Sequence, residues 1–111
     1  MSQRILRVNQ LLKQEIGQSL LREIDFDGTL VTITEVDASD DLRQAKVKIS
    51  VMPTEKSEQV LKILEKNIYH LQQILNKKLN METVPKIRFV IDQTEVKAQR
   101  IEEILEKMKK G

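Results

Sequence analysis

The chain has 111 residues, of which 40% are hydrophobic and 32% are charged, and its formal net charge is +2. This length and composition predict one globular domain, residues 1–111, with a single core. The lack of cysteine excludes disulfide frameworks and thiolate metal sites, and neither a membrane helix nor a secretory signal is recognisable, so a cytoplasmic protein is expected.

The distribution of charge says more than the total. Residues 1–58 carry 8 Lys/Arg and 10 Asp/Glu, whereas residues 59–111 carry 11 Lys/Arg and 7 Asp/Glu. A net charge of +2 alone does not indicate a nucleic-acid-binding protein. Clustering of the cations on one surface would be the better indication.

A first helix is predicted from a cap at Ser2 to about Glu23. Its apolar residues recur every three or four positions, which predicts one buried stripe: Ile5, Val8, Leu12, Ile16 and Leu20. Gly17 interrupts the pattern and should cost about 1 kcal/mol relative to Ala unless a neighbour requires close approach. The segment from Asp25 to Gly28 then predicts a turn.

A β-hairpin is predicted from about Thr29 to Met52, with a tight polar centre from Asp37 to Asp41. The second strand shows period-2 alternation, with Ala45, Val47, Ile49 and Val51 on one face and Gln44, Lys46, Lys48 and Ser50 on the other. Because a two-stranded hairpin is marginally stable in water, its apolar face must be covered by the flanking segments.

A long helix is predicted from about Glu55 to Asn80, after Pro53 ends the second strand. Thr54 and Ser57 are alternative caps for this helix. Its buried stripe is predicted to contain Val60, Leu64, Ile68, Leu71, Leu75 and Leu79. Asn67 and Asn76 are weak helix formers at which a bend could occur.

A third strand is predicted after Val84-Pro85, with Ile87, Phe89 and Ile91 alternating with Lys86, Arg88 and Val90. A last helix follows, because Asp92 to Glu95 has the spacing of a capping box. Its apolar side would contain Val96, Ile101, Ile104, Leu105 and Met108.

The predicted element order is α-β-β-α-β-α, in the α+β class. A hairpin makes the first two strands antiparallel, and a right-handed crossover through the long helix makes the third strand parallel to the second. The result is a three-stranded mixed sheet with helices on one face. The other face would be open and would carry Lys46, Lys48, Lys86 and Arg88.

The sequence resembles the ribosome-binding factor A family over nearly its whole length. The strongest match runs through Val31-Thr32-Ile33-Thr34, Val36, Ser39, Asp41-Leu42, Ala45-Lys46-Val47 and Ser50. A second match comprises Val84-Pro85-Lys86-Ile87-Arg88-Phe89, then Asp92, Thr94 and Arg100-Ile101, and a third is Arg7-Val8 with the helix after it.

The resemblance implies a KH-like fold of the second topological type. It also implies a monomeric, non-enzymatic factor that binds the small ribosomal subunit and its rRNA and assists late maturation of that RNA, particularly in the cold. A small GTPase would trigger release, and no cofactor, catalytic group or metal is expected. The candidate RNA-binding residues are Arg4, Arg7, Lys46, Lys48, Lys62, Lys66, Lys77, Lys78, Lys86 and Arg88.

The chain departs from the family pattern in the long helix. Where the family usually has an Ala-x-Gly kink, this chain has Asn67-Ile68-Tyr69, and Gln72 and Gln73 replace the basic residues that often follow. The sequence leaves open whether the helix bends there. Tyr69 could stack on a base, although a core or rim position is the commoner role for such a residue.

Simpler interpretations stand beside these. The cations could have no role beyond keeping solvent-facing surfaces soluble. The chain could also be a protein-interaction adaptor that uses an exposed sheet edge or the acidic hairpin tip. Asp37, Asp40 and Asp41 lack the glycine and distal glutamate of a calcium loop and fit a turn. His70 is the only histidine of a chain that has no cysteine, which favours a surface histidine over a metal ligand.

Overall fold

The computed structural model describes residues 2–94, 104–105 and 107–108. Its elements are α1 (Gln3–Glu23), β1 (Leu30–Ala38), β2 (Gln44–Met52), a 3₁₀ turn (Thr54–Lys56), α2 (Ser57–Lys78) and β3 (Lys86–Ile91). The predicted α-β-β-α-β order is confirmed. Most of the predicted last helix, including Val96 and Ile101, lies outside the described residues; Ile104, Leu105 and Met108 are described and exposed.

Helix α1 begins and packs as its sequence predicts. The Ser2 hydroxyl accepts a hydrogen bond from the Ile5 amide at 3.2 Å, which satisfies one of the free donors of the first turn. The five apolar residues of the predicted stripe are all buried: Ile5, Val8, Leu12, Ile16 and Leu20. A Cβ built on Gly17 would meet only Ile33 Cδ1, at 4.0 Å, so no neighbour requires glycine there.

One tight turn precedes the hairpin, and a second one forms its tip. Asp27 and Gly28 have φ of 54° and 79°, and the Asp27 amide donates to Asp25 Oδ1 at 2.9 Å. At the hairpin tip, the Ser39 amide donates to the Gln44 carbonyl at 2.8 Å, which closes the connection. The connection runs over residues 39–43, so the predicted polar centre begins two residues too early, because β1 continues to Ala38 and therefore contains Asp37.

Helix α2 runs without interruption through Asn67 and Tyr69. Neither predicted cap holds its N-terminus: Lys56 occupies that position without a side-chain capping bond to any described residue, and Ser57 instead donates to the Thr54 carbonyl at 2.7 Å. The error arose because a 3₁₀ turn precedes the helix. The buried stripe is confirmed at Val60, Leu64, Leu71, Leu75 and Leu79, with Ile68 partly buried against it.

The strands form one mixed sheet in the order β1-β2-β3. Strand β2 is central, antiparallel to β1 and parallel to β3. Helix α1 packs on β1, and α2 packs on β2 and β3, so both helices cover the same face. The side chains between the layers form one core, in which Leu12, Val47, Ile49 and Leu64 have almost no exposed surface. Among the described helices, none has the length and apolar character needed to cross a membrane.

Candidate nucleic-acid interface

The four cations predicted for the open sheet face do lie there. Along β2, Ala45, Val47, Ile49 and Val51 are buried against the helices, so the alternate residues point to the opposite face. In the β2–β3 register Lys46 is opposite Arg88, and Lys86 is opposite Gln44. Lys46, Lys86 and Arg88 are exposed, while Lys48 is partly buried. The strand alternation therefore brings all four side chains onto one surface.

Strand β1 adds carboxylates to this face, which the sequence interpretation missed. In the antiparallel register Glu35 is opposite Lys48 and Asp37 is opposite Lys46. The pairing shifts between Ile33 and Glu35, where Thr34 is the extra residue of a β-bulge. A signal existed: Val31 and Ile33 are apolar at odd positions, whereas Val36 and Ala38 are apolar at even positions. A change of parity within a strand indicates a bulge.

Lys48 is neutralised within the sheet. Its Nζ lies 3.2 Å from Glu35 Oε2. The hydrogen bond and charge of Glu35 raise the pKa of Lys48, and the Asp92 carboxylate adds a smaller attraction. Lys48 thus lies on the open sheet face as predicted, but it is partly buried and already has an anionic partner.

Asp92 connects the two edge strands over the open face. The Thr34 hydroxyl donates to Asp92 Oδ2 at 2.6 Å, and the Thr94 amide donates to Asp92 Oδ1 at 2.9 Å. These hydrogen bonds, that of Thr34 first, lower the pKa of Asp92 to about 2. The second bond agrees with the predicted capping role of Asp92. The carboxylate is therefore negatively charged at neutral pH and lies at the end of β3.

We call Lys46, Lys86 and Arg88 the basic corner. They line a shallow groove of about 370 Å³ at the end of the sheet near the hairpin tip, together with Asp37 and Ser39. None of the three forms an ion pair within 4.0 Å with a described residue. Their charges remain available to an external anion, with one carboxylate, Asp37, across the strand from Lys46.

Three other predicted cations lie on the far side of the domain. Lys62, Lys66 and Lys77 are exposed along α2, about half a turn from the buried stripe. Because that stripe packs on the sheet, these side chains face away from the open sheet face. Tyr69 lies among them and is 76% exposed, so a core position is wrong for it. We call Lys62, Lys66, Tyr69 and Lys77 the α2 outer stripe.

Lys78 does not belong to the α2 outer stripe. Its Nζ lies 3.9 Å from Glu15 Oε2 on α1, so it points along the helix–helix junction. The candidate RNA-binding residues Lys77 and Lys78 therefore lie on different surfaces. The reason is geometric: consecutive helix residues are separated by about 100° around the axis.

Arg4 and Arg7 form a third surface at the end of the domain. Both are exposed, and they border a groove between the start of α1, the hairpin tip and the loop before β3. Asp40, Asp41 and Arg43 line the same groove. The ten predicted residues therefore occupy separate surfaces and do not form one continuous site.

Asp41 and His70 have structural partners. Asp41 Oδ1 accepts hydrogen bonds from the Ser39 hydroxyl at 2.7 Å and the Arg43 amide at 3.1 Å, and these lower the pKa of Asp41, the Ser39 bond most. This confirms the turn interpretation for Asp41. His70 is a surface residue whose Nε2 lies 3.2 Å from Glu23 Oε2. Among the described residues, no three acidic or histidine side chains come close enough to hold a metal ion.

Comparison with known proteins assigns the chain to a family. Residues 4–105 match the sequence model of ribosome-binding factor A. The ribosome-binding factor A of Akkermansia muciniphila is 32% identical over 111 residues, covering 100% of this chain and 89% of that protein. The Thermodesulfovibrio yellowstonii protein of the same name is 35% identical over 108 residues, covering 96% and 92%. The chain therefore belongs to the ribosome-binding factor A family.

Solved structures share the fold. The crystal structure of ribosome-binding factor A from Thermus thermophilus superposes with a TM-score of 0.71 at 19% identity, covering 81% of this chain and 97% of that one. A homology model of the Thermus thermophilus factor, fitted into a cryo-EM map of its 30S complex, gives a TM-score of 0.63 at 22% identity, covering 76% and 90%.

Proposed function

We propose that this chain binds the small ribosomal subunit and its rRNA during late maturation, particularly in the cold. It acts as a monomeric single domain, residues 1–111, in the cytoplasm. The protein has no catalytic step of its own: it occupies an immature RNA conformation and is then displaced with the help of a small GTPase. The observation that carries the proposal is the family match over residues 4–105. The 30S complex of the Thermus thermophilus factor supports it.

The basic corner is the part of the surface best suited to rRNA. Two of its cations, Lys46 and Arg88, are register neighbours on adjacent strands, about 5 Å apart at the backbone. Each phosphate that they neutralise releases condensed counterions, so three contacts give a log–log salt slope of about −2 to −3. Such contacts position the protein without reading sequence. Selectivity then depends on RNA shape and on sugar hydroxyls.

Charge reversal at the basic corner tests this proposal. The triple variant Lys46→Glu, Lys86→Glu and Arg88→Glu should co-sediment with small subunits at least tenfold more weakly. The change removes three favourable phosphate contacts and adds three repulsive ones, which is ample for a factor of about 10. Circular dichroism melts should remain close to wild type, since all three side chains are exposed.

A matched control carries the same change of charge on the other side of the domain. The variant Lys62→Glu, Lys66→Glu and Lys77→Glu reverses the charge of the three lysines in the α2 outer stripe. We expect it to lose less than threefold in affinity. A larger loss in this variant than in the first would move the interface to α2, and unchanged co-sedimentation of both would refute an electrostatic interface.

Salt dependence separates RNA binding from the protein-adaptor alternative. The affinity of binding through phosphates should fall steeply between about 0.05 and 0.2 M salt, because every contact adds to the log–log salt slope. An apolar interface with a protein partner should be almost insensitive over that range. Salt-insensitive binding to intact subunits would favour a ribosomal protein as the direct partner.

A further inference from the structure

The charge of the open sheet face is divided between two sides. Four cations are present, but Glu35, Asp37 and Asp92 reduce the net charge of the face to about one positive unit. The carboxylates of Glu35 and Asp37 are both on the edge strand β1. The cations without an ion pair to a described residue lie on β2 and β3, near the hairpin tip. The face is therefore anionic along β1 and cationic along β2 and β3 near the hairpin tip, with Asp92 at the opposite end of β3.

Lys48 marks the boundary between these two sides. Its side chain is 35% exposed, and that of its partner Glu35 is 59% exposed, so the carboxylate is the more accessible member of the pair. A phosphate approaching Lys48 would have to displace Glu35 and would still lie near Asp92, which also acts on Lys48. The negative charges of Glu35 and Asp92 would repel the phosphate.

Asp37 extends the same edge toward the hairpin tip. It is exposed and lies opposite Lys46, two residues along β1 from Glu35. Residues two apart in a strand are on the same face and about 7 Å apart. The two carboxylates thus form a short row beside the basic corner, and a phosphate backbone cannot cross β1 without passing over them.

We propose that Glu35 and Asp37 are specificity-determining residues that confine the bound RNA to a single phosphate backbone over the basic corner. Lys48 is withheld from the RNA by Glu35. An RNA that presents two phosphate rows across the whole sheet is disfavoured, while one strand running beside β3 is accepted. This inference rests on the proposed function, because it assigns roles within the same surface.

The test uses purified small subunits and a labelled uridine homopolymer as probes, with affinity measured against salt concentration. Lys46→Gln should reduce the magnitude of the salt slope for the homopolymer by about 0.7, the value of one phosphate on a single strand. Lys48→Gln should leave the slope unchanged. Glu35→Gln should release Lys48 and increase the magnitude of the slope by about 0.7. For each tenfold reduction in salt, its affinity should therefore rise about fivefold more than that of wild type.

Two further variants isolate the cause. The double variant Glu35→Gln/Lys48→Gln should return to the wild-type slope, because the gain of Glu35→Gln acts through Lys48. Glu65→Gln changes the net charge equally on α2, away from the sheet, and should have no effect on the slope. For small subunits, Glu35→Gln should tighten binding less than it does for the homopolymer, so the preference for the subunit should fall.

Defined results would overturn the inference. It fails if Lys48→Gln reduces the slope as much as Lys46→Gln, or if the gain of Glu35→Gln persists in the double variant. It also fails if wild type binds neither probe at low salt. If the homopolymer binds with the expected pattern of salt slopes but small subunits do not bind, the proposed function is overturned. The roles of Glu35 and Lys48 in RNA binding would then still be supported.

Discussion

Replacing Gln72 should loosen the edge of the sheet that carries the basic corner. The Gln72 side chain extends from α2 to β3 and bonds the backbone at two points. Its Nε2 donates to the Pro85 carbonyl at 3.0 Å, and its Oε1 accepts from the Ile87 amide at 3.0 Å. The amides of Lys86 and Asp92 donate toward β2, to the carbonyls of Arg43 just before that strand and of Ile49 within it. The Ile87 amide therefore points away from β2. Gln72 therefore takes the place of a neighbouring strand at this edge.

The magnitude follows from those two contacts. A neutral hydrogen bond contributes about 0.5–1.5 kcal/mol, and a buried group left unpaired costs about 1–3 kcal/mol. Pro85 and Ile87 are both buried, so water replaces the lost partner poorly. Gln72→Met keeps the length of the side chain and removes both bonds, together with an exposed hydrogen bond of 3.2 Å from Gln72 Nε2 to Asn76 Oδ1. We expect it to lower the free energy of unfolding by about 1–3 kcal/mol.

Urea denaturation followed by circular dichroism measures that loss, and amide exchange of Ile87 locates it. Gln73→Met is the control, because Gln73 is exposed and makes no side-chain hydrogen bond within the described part of the chain. The reasoning is refuted if the two variants have the same stability to within about 0.5 kcal/mol, the usual scatter of surface substitutions, or if the Ile87 amide exchanges at its wild-type rate in Gln72→Met.

Three other substitutions test the packing and the electrostatics. Gly17→Ala should raise the free energy of unfolding by about 0.5–1 kcal/mol, since the nearest atom to the added Cβ is 4.0 Å away; a loss of stability would show a hidden clash. Ser19→Ala should be neutral or stabilising by up to about 1 kcal/mol, because the buried Ser19 hydroxyl has no hydrogen-bond partner among described residues; a loss above 1 kcal/mol would contradict this. The pKa of Asp92 is lowered to about 2 from 3.8, so its stabilising effect is complete above pH 4 and is lost as the pH falls toward 2. The stability gap between wild type and Asp92→Asn, measured by urea denaturation, should shrink over that interval, and a gap independent of pH would refute the assignment.

The buried half of the fold was predictable because burial imposes a period on the sequence. The stripe from Ile5 to Leu20 and that from Val60 to Leu79 both follow helical spacing, and both are buried. Strand β2 alternates without a break, so its exposed side, including Lys46 and Lys48, followed directly. Each of these predictions required only the spacing of residues within one element.

The polar half was not predictable in the same way, because it depends on contacts between elements. The pairing of Lys48 with Glu35 requires the hairpin register, which a bulge at Thr34 shifts. The role of Gln72 requires knowing that α2 passes beside the edge of β3. Sequence spacing gives no distance between α2 and β3, so from the sequence Gln72 is only a position that lacks the family's cation.

Gln72 and Gln73, which stand where the family often has basic residues, affect the location of positive charge. Gln72 is committed to the β3 backbone, and Gln73 is neutral, so between Lys66 and Lys77 the outer side of α2 carries no lysine or arginine. At the basic corner, by contrast, strand register fixes the Cα positions of Lys46 and Arg88, and Gln72 holds the edge beside Lys86. A preorganised cluster binds an anion at lower entropic cost than a dispersed one. Gln72 thus leaves α2 without a cation at that position and stabilises the sheet edge, which is why the charge reversal of Lys46, Lys86 and Arg88 is expected to have the larger effect.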